Sequence, residues 1–292
     1  RARLHRLPEH EFTNLSRLRS ETIPTVASPP TTNQEARMSQ HVQISIEDGV
    51  LEIKFARPEK KNALTNAMYN AACEALEQAE QDASIRVILL TSEGDVFTAG
   101  NDLADFANVS SDESVESQAP YFIRAIARAS KPLVAAVPGI AVGVGTTMLL
   151  HCDLVYVAEG AKLSAPFVNL ALVPEAASSL LLPQTIGHVK AFALFALGES
   201  LSGNDAVSLG MANKALTTPD DVRAAAKSAA STLAKKPVGS LLATKKLMRD
   251  TALLAAHIQQ ESEIFEQRLS SAEAREAFSA FAERRAPDFS KF

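Results

Sequence analysis

Pro132-Leu-Val-Ala-Ala-Val-Pro-Gly-Ile-Ala-Val-Gly-Val-Gly-Thr146 sets the architecture of this 292-residue chain. Pro132–Val137 is a continuous apolar run of strand length, of the kind buried on both faces of a parallel sheet. It runs into a loop of small residues, Pro138–Thr146, and then into a helix start expected over Thr146–His151. Upstream the same logic stands in Ile85–Thr91 (IRVILLT), followed by Phe97-Thr-Ala-Gly-Asn-Asp-Leu103. Two buried strands that each feed a glycine-bearing loop and a helix predict an α/β fold.

Working outward, Val42, Ile44 and Ile46, then Leu51, Ile53 and Phe55, alternate with period two around Asp48–Gly49, which predicts a hairpin. Helical spacing is expected over Asn66–Ala83 and Gln118–Ala129, and Asp153–Ala158 reads as a further strand. Beyond Pro183 the pattern is mostly helical, over roughly 188–197, 203–210, 219–235, 238–249, 252–269 and 272–285. Ser202 and Thr218 are expected N-caps. Residues 1–37 differ, with six Arg, no Lys, four Glu and Pro29–Pro30. They read as a leader or disordered extension, with 38–235 as the core and 236–292 as a helical C-terminal region.

With 46% apolar and 22% charged residues the chain can build a large core, and without Trp it must pack mainly Ala, Val and Leu. A net charge of −5 disfavours nucleic acid as a partner. No apolar run approaches the ~20 residues that span a bilayer, and Phe289–Phe292 carries no Ser-Lys-Leu address; a cytoplasmic protein is expected. Cys73 and Cys152 sit in apolar stretches and read as buried thiols. No Cys/His spacing suggests a metal.

A helix N-terminus leaves backbone N–H groups unpaired, and small residues let a ligand approach them. Both loops therefore suit an oxyanion. They equally suit tight turns, and Gly143-x-Gly145 lacks the remaining glycine of a dinucleotide fingerprint.

Arg57-Pro-Glu-Lys-Lys-Asn-Ala-Leu64, Phe97-x-Ala-Gly-Asn-Asp-Leu103, Gly139-x-Ala-x-Gly-x-Gly145, Gly198-Glu-Ser-Leu-Ser-Gly-Asn-Asp-Ala206 with Gly210, and Phe281-x-Glu-Arg-Arg-x-Pro-x-Phe289 follow one another in order. Together they resemble the enoyl-CoA hydratase/isomerase (crotonase) superfamily over about residues 40–290. The resemblance implies a spiral of ββα units followed by helices that trimerise, with trimers pairing into hexamers. It implies an acyl-coenzyme A substrate and no separate cofactor. The oxyanion hole would be the N–H groups of Ala99 and Val144. Ala63, Ala99, Gly100, Asn101, Asp102 and Leu103 would line the coenzyme A site, with Lys60 or Lys61 near its phosphates.

Hydratases of this family use two glutamates, and these positions fall on Thr147 and Phe167 here. Neither side chain serves as a general base near neutrality. The remaining acid is Glu175, after Pro174, at the expected start of an apolar helical stretch. An acid there can simply stabilise the helix dipole. The motif nevertheless resembles that of peroxisomal-type Δ3,Δ2-enoyl-CoA isomerases, in which a Glu at this point is the base. The expected activity is thus a C3-to-C2 double-bond shift. Hydration by another route, another crotonase-family reaction, and an acyl-CoA-binding protein without turnover stay open. Among other candidates, His151 reads as a packing histidine, Asp102 as a helix cap, Asp105 as a weaker acid, and Lys245–Lys246 and Arg284–Arg285 as solvated faces.

Overall fold

The computed structural model describes residues 41–105 and 116–292. The expected leader, 1–37, lies outside the described residues. Strands β1 (Val42–Glu47) and β2 (Val50–Phe55) form the expected hairpin, with Val42 opposite Phe55 and Glu47 opposite Val50. Asp48 and Gly49 both take positive φ (50° and 79°), the geometry of a tight two-residue hairpin turn.

From β2 the chain winds between two sheets. Strands β3 (Val87–Ser92), β5 (Leu133–Val137), β7 (Leu154–Ala158) and β10 (Lys214–Leu216) extend the hairpin into a six-stranded sheet, in the order β1-β2-β3-β5-β7-β10. Strands β4 (Val96–Thr98), β6 (Ile140–Val142), β8 (Lys162–Ser164) and β9 (Ser200–Ser202) form a second sheet in that order. Three passes, β3–β4, β5–β6 and β7–β8, each lay one strand in the large sheet and the next in the small sheet before turning into helix. The spiral of ββα units is this winding. β3 and β5 are buried along their whole length, as continuous apolar runs require. Helix α1 (Asn66–Gln81) buries a stripe of Ala71, Ala72, Ala75 and Ala79, so close helix–sheet approach replaces large aromatic packing.

Helix α2 spans Ala119–Arg128. The helix expected from Thr146 starts two residues earlier, as α3 (Val144–Thr147), and continues as a 3₁₀ turn over Met148–His151. Small residues at Gly143–Gly145 permit the earlier start. Helices α4 (Ser178–Ile186) and α5 (His188–Phe192) follow. Ser202 caps α6 (Gly203–Ser208) in a reciprocal capping box with Asp205, and Thr218 caps α7 (Pro219–Ala234), as expected. Helices α8 (Val238–Met248), α9 (Thr251–Leu269) and α10 (Ala272–Glu283) complete the C-terminal region. Leu254 and Ile258 of α9 pack on Ile123 and Ala127 of α2 and on Ala176 and Ala177. Among the described residues no helix is long and apolar enough to cross a membrane, and no cluster of three or more His, Cys, Asp or Glu could hold a metal.

The solvated-face reading of Lys245 is corrected. Its ammonium is buried, donating to the Asp153 carboxylate at 2.7 Å and to the Lys131 carbonyl at 2.7 Å. A basic side chain with no polar alternative partner tolerates burial only in such company. Burial pushes the thiols of Cys73 and Cys152 up to about 11 and about 12, so both stay protonated and unreactive.

Candidate active site

Parallel pairing of β4 with β6 brings the two glycine loops together, with Val96 beside Ile140 and Thr98 beside Ala141. The approach is too close for side chains. A Cβ on Gly145 would stand 2.5 Å from Thr98 Cγ2, and one on Gly100 would stand 2.8 Å from the Val142 carbonyl oxygen, at a φ of +86°.

The motif Arg57–Leu64 fixes the first loop from below. Asn62, fully buried, donates to the carbonyls of Glu93 (2.9 Å) and Val96 (2.8 Å) and accepts the Arg57 amide (2.7 Å). Arg57 Nη1 donates to Asp102 Oδ2 at 2.7 Å and to the Ala63 carbonyl at 3.1 Å. Asp102 also accepts the amides of Ala104 and Asp105, each at 3.2 Å, which makes it the expected cap. Asp105 accepts the Asn66 amide at 2.6 Å and so anchors the start of α1.

One cavity of about 970 Å³ opens against both loops, the size of a drug-like ligand site. Lys60, Ala63, Ala99, Gly100, Asn101, Asp102, Leu103, Val144 and Glu175, the candidates named from the sequence, all line it. Lys61 does not line it. Its left-handed backbone (φ 53°) turns its carbonyl to the Ala99 amide, which donates to it at 3.0 Å. That bond corrects the expected oxyanion pair. The Ala99 N–H is already satisfied, and an amide cannot serve a ligand while it donates to a carbonyl. Two residues on, the Asn101 N–H has no acceptor among the described residues, because the neighbouring bridge uses the Gly100 carbonyl and the Asp102 amide instead. The Val144 N–H, at the first position of α3, likewise has no acceptor among the described residues. The cavity therefore meets the free amides of Asn101 and Val144.

Glu175 does not sit in a helical turn. Helix α4 starts at Ser178 (Ser178–Ile186), after Ala176 and Ala177, both left-handed (φ 61° and 54°). The bend turns the carboxylate inward to the cavity instead of leaving it as a dipole partner. Glu175 Oε1 accepts the Thr147 hydroxyl at 2.5 Å, and Oε2 is buried without a hydrogen-bond partner. Burial pushes the Glu175 carboxyl up to about 7; the Thr147 hydroxyl opposes this and the Glu261 charge adds to it. Thr147, which cannot act as a base near neutrality, thus orients the Glu175 carboxylate. Sequence reasoning missed this role, because 28 residues separate the pair. Thr147→Val should move the titration midpoint of Glu175 upward and lower turnover near neutrality several-fold. A pH–rate profile of the variant checks both.

Much of the cavity lining is apolar, including Phe167, Leu172, Ile123, Ile258, Phe265 and Phe278. Tyr69 also lines the cavity, and its hydroxyl donates to Asn101 Oδ1. His151 behaves as a packing histidine. It is fully buried, faces the Ala176 carbonyl through Nε2 (2.7 Å), and takes the Arg249 guanidinium at Nδ1. Burial first, and then the Arg249 charge, pull it down to about 3, so the ring is neutral. Neither Arg284 nor Arg285 lines the cavity; Arg285 is paired with Glu276 and Glu283.

The family model described as Enoyl-CoA hydratase/isomerase matches residues 45–291. The chain is 34% identical to 1,2-epoxyphenylacetyl-CoA isomerase of Escherichia coli (strain K12), over 86% of this chain and 99% of that one. It is 32% identical to enoyl-CoA delta isomerase 2 of Rattus norvegicus, over 78% of this chain and 59% of the relative. Among solved structures, an enoyl-CoA hydratase/isomerase from Pseudoalteromonas atlantica T6c superposes with a TM-score of 0.80 at 40% identity, covering 86% of this chain and all of that one. The cavity walled by two paired glycine loops and the match along nearly the whole core agree: the chain belongs to the enoyl-CoA hydratase/isomerase family.

Proposed function

We propose that the protein shifts a double bond from C3 to C2 of an enoyl-coenzyme A, with Glu175 moving the proton and the Asn101 and Val144 amides holding the thioester oxygen. The observation that carries this reading is that, among the described residues, the buried Glu175 carboxylate and two unpaired main-chain donors line one largely apolar cavity. Hydration calls for one group to activate water and another to manage the proton at C2. Thr147 and Phe167 supply neither, and Phe167 adds an apolar ring to the lining where a hydratase has an acid. Isomerisation needs one base. The Glu175 carboxylate takes the C2 proton and the C3=C4 electrons delocalise into a dienolate, whose negative oxygen is met by the two amides. The same carboxyl then returns the proton to C4, leaving the C2=C3 bond and an unchanged enzyme. The balance requires no redox cofactor. Lys60 at the cavity lining is positioned to meet a phosphate of coenzyme A. Exposed apolar residues such as Val189, Phe192, Leu247 and Met248 support assembly into homotrimers or homohexamers.

Separate assays of a 3-enoyl-CoA and a 2-enoyl-CoA with one preparation test this. Fast isomerisation with little hydration is expected, and the reverse pattern would overturn the reading. The base must be ionised in the free enzyme. With Glu175 near 7, kcat/KM should rise through about pH 7 and level off above it. A flat profile between pH 5 and 8 contradicts the assignment.

A further inference from the structure

Glu261 on α9 lies 86 positions beyond Glu175 and buries all but 6% of its surface. A carboxylate in that setting needs several donors, and those it has come from the loop that carries Glu175 and from the first turn of α4 that follows it. Oε2 accepts the Ala177 amide at 2.6 Å, and Oε1 accepts the Ser179 amide at 2.9 Å and the Ser179 hydroxyl at 2.5 Å. The same loop contains the two consecutive left-handed alanines. A left-handed backbone is disfavoured for a residue with a Cβ and persists only where its surroundings over-determine it. His151 secures one side of this bend through the Ala176 carbonyl. Glu261 secures the other.

We infer that Glu261 is a positioning residue for Glu175: by accepting three hydrogen bonds from Ala177 and Ser179 it fixes the bend that aims the reactive carboxylate into the cavity. The C-terminal helix thereby contributes to the site without touching the reacting atoms. This rests on Glu175 being the base. The ionisable group facing Glu261 is His257 of the same helix, its Nε2 3.7 Å from Oε1 and 2.8 Å from the Ser179 hydroxyl. Glu175 itself is faced by the charge of Glu261, by the Thr147 hydroxyl and by Tyr69.

Glu261→Gln keeps the shape, but its amide nitrogen must oppose either the Ala177 or the Ser179 donor. A misplacement of about 1 Å costs on the order of a hundred-fold in turnover. The variant is therefore expected to lose about ten- to a hundred-fold in kcat on 3-enoyl-CoA, with KM little changed. The titration midpoint of the Glu175 carboxyl should fall, because a neighbouring negative charge is gone. That midpoint is read by ¹³C NMR of labelled glutamate, with the resonance assigned by its loss in Glu175→Gln. Unchanged kcat and midpoint overturn the inference. So does a common fall of kcat, KM and melting temperature with an unmoved midpoint, which marks a merely structural residue. If the wild-type protein has no isomerase activity, the proposed function fails separately, and the Glu175 midpoint in the two proteins still decides the role of Glu261.

Discussion

Replacing Glu175 by Gln should abolish double-bond isomerisation while leaving coenzyme A binding intact and raising stability at alkaline pH. The loss of turnover follows from the count of carboxylates. General-base catalysis is worth about a hundred- to ten-thousand-fold, and among the described residues Glu175 is the one acid whose buried carboxylate is aimed at the cavity beside the free amides. Gln keeps the shape and the Thr147 contact but cannot accept a proton. Binding persists because Lys60, Ala63 and the Ala99–Leu103 loop are untouched. A residual rate within two-fold of wild type would remove Glu175 from the mechanism.

The stability effect has a definite sign. Burial raises the folded-state value of Glu175 from 4.5 to about 7, so the folded protein holds this proton more tightly than the unfolded chain does. Its stabilising contribution is complete below about pH 4.5 and is lost as pH rises through about 7. Across that window the wild-type protein should lose roughly 3 kcal/mol that Glu175→Gln keeps. The two should therefore melt together near pH 4.5, and the variant should melt higher at pH 8. The buried Glu175 carboxyl thus works against folding at alkaline pH, the cost expected of a group held in unfavourable surroundings for function.

Val144→Pro should lower kcat/KM by about a hundred- to a thousand-fold, the cost of one preorganised oxyanion donor. A backbone donor cannot be removed by trimming a side chain, but proline deletes the N–H itself. Val144 stands at the first position of α3, where proline is tolerated because that amide makes no intrahelical bond. Gly143 before it has the freedom to accommodate the ring. The melting temperature should change little, whereas the dienolate oxygen would lose one of its two donors. An unchanged kcat/KM would show that the Val144 amide does not meet the developing charge. The same substitution at Ala99 gives a contrast, since its amide is bonded to the Lys61 carbonyl and its loss should read out chiefly as instability of the loop.

The strands and most helices were legible because their determinants are local. The period-two alternation of Val42–Phe55, the unbroken apolar runs of β3 and β5, and the caps at Ser202 and Thr218 each lie within a few residues of what they specify. The motif order carried the family, and the choice of Glu175 followed from finding Thr147 and Phe167 where hydratases have acids. Residue spacing, by contrast, does not show which amide in Phe97–Leu103 is free. Ala99 and Asn101 differ only in that the Lys61 carbonyl turns toward one of them, across a backbone bend 38 residues upstream.

Local patterning specified the α/β winding and the two small-residue loops, and the motif order singled out Glu175 as the candidate base. The tertiary structure alone decided that β4 and β6 press those loops together, that Glu175 turns inward from a left-handed bend instead of starting a helix, and that Thr147 and Glu261 hold it there. The physical reason is range. Strand and helix formation depend on neighbours one to four positions apart, whereas a hydrogen bond from Thr147 to Glu175, or from Ala177 to Glu261, links positions 28 and 84 apart and exists only once the core has excluded water around both partners.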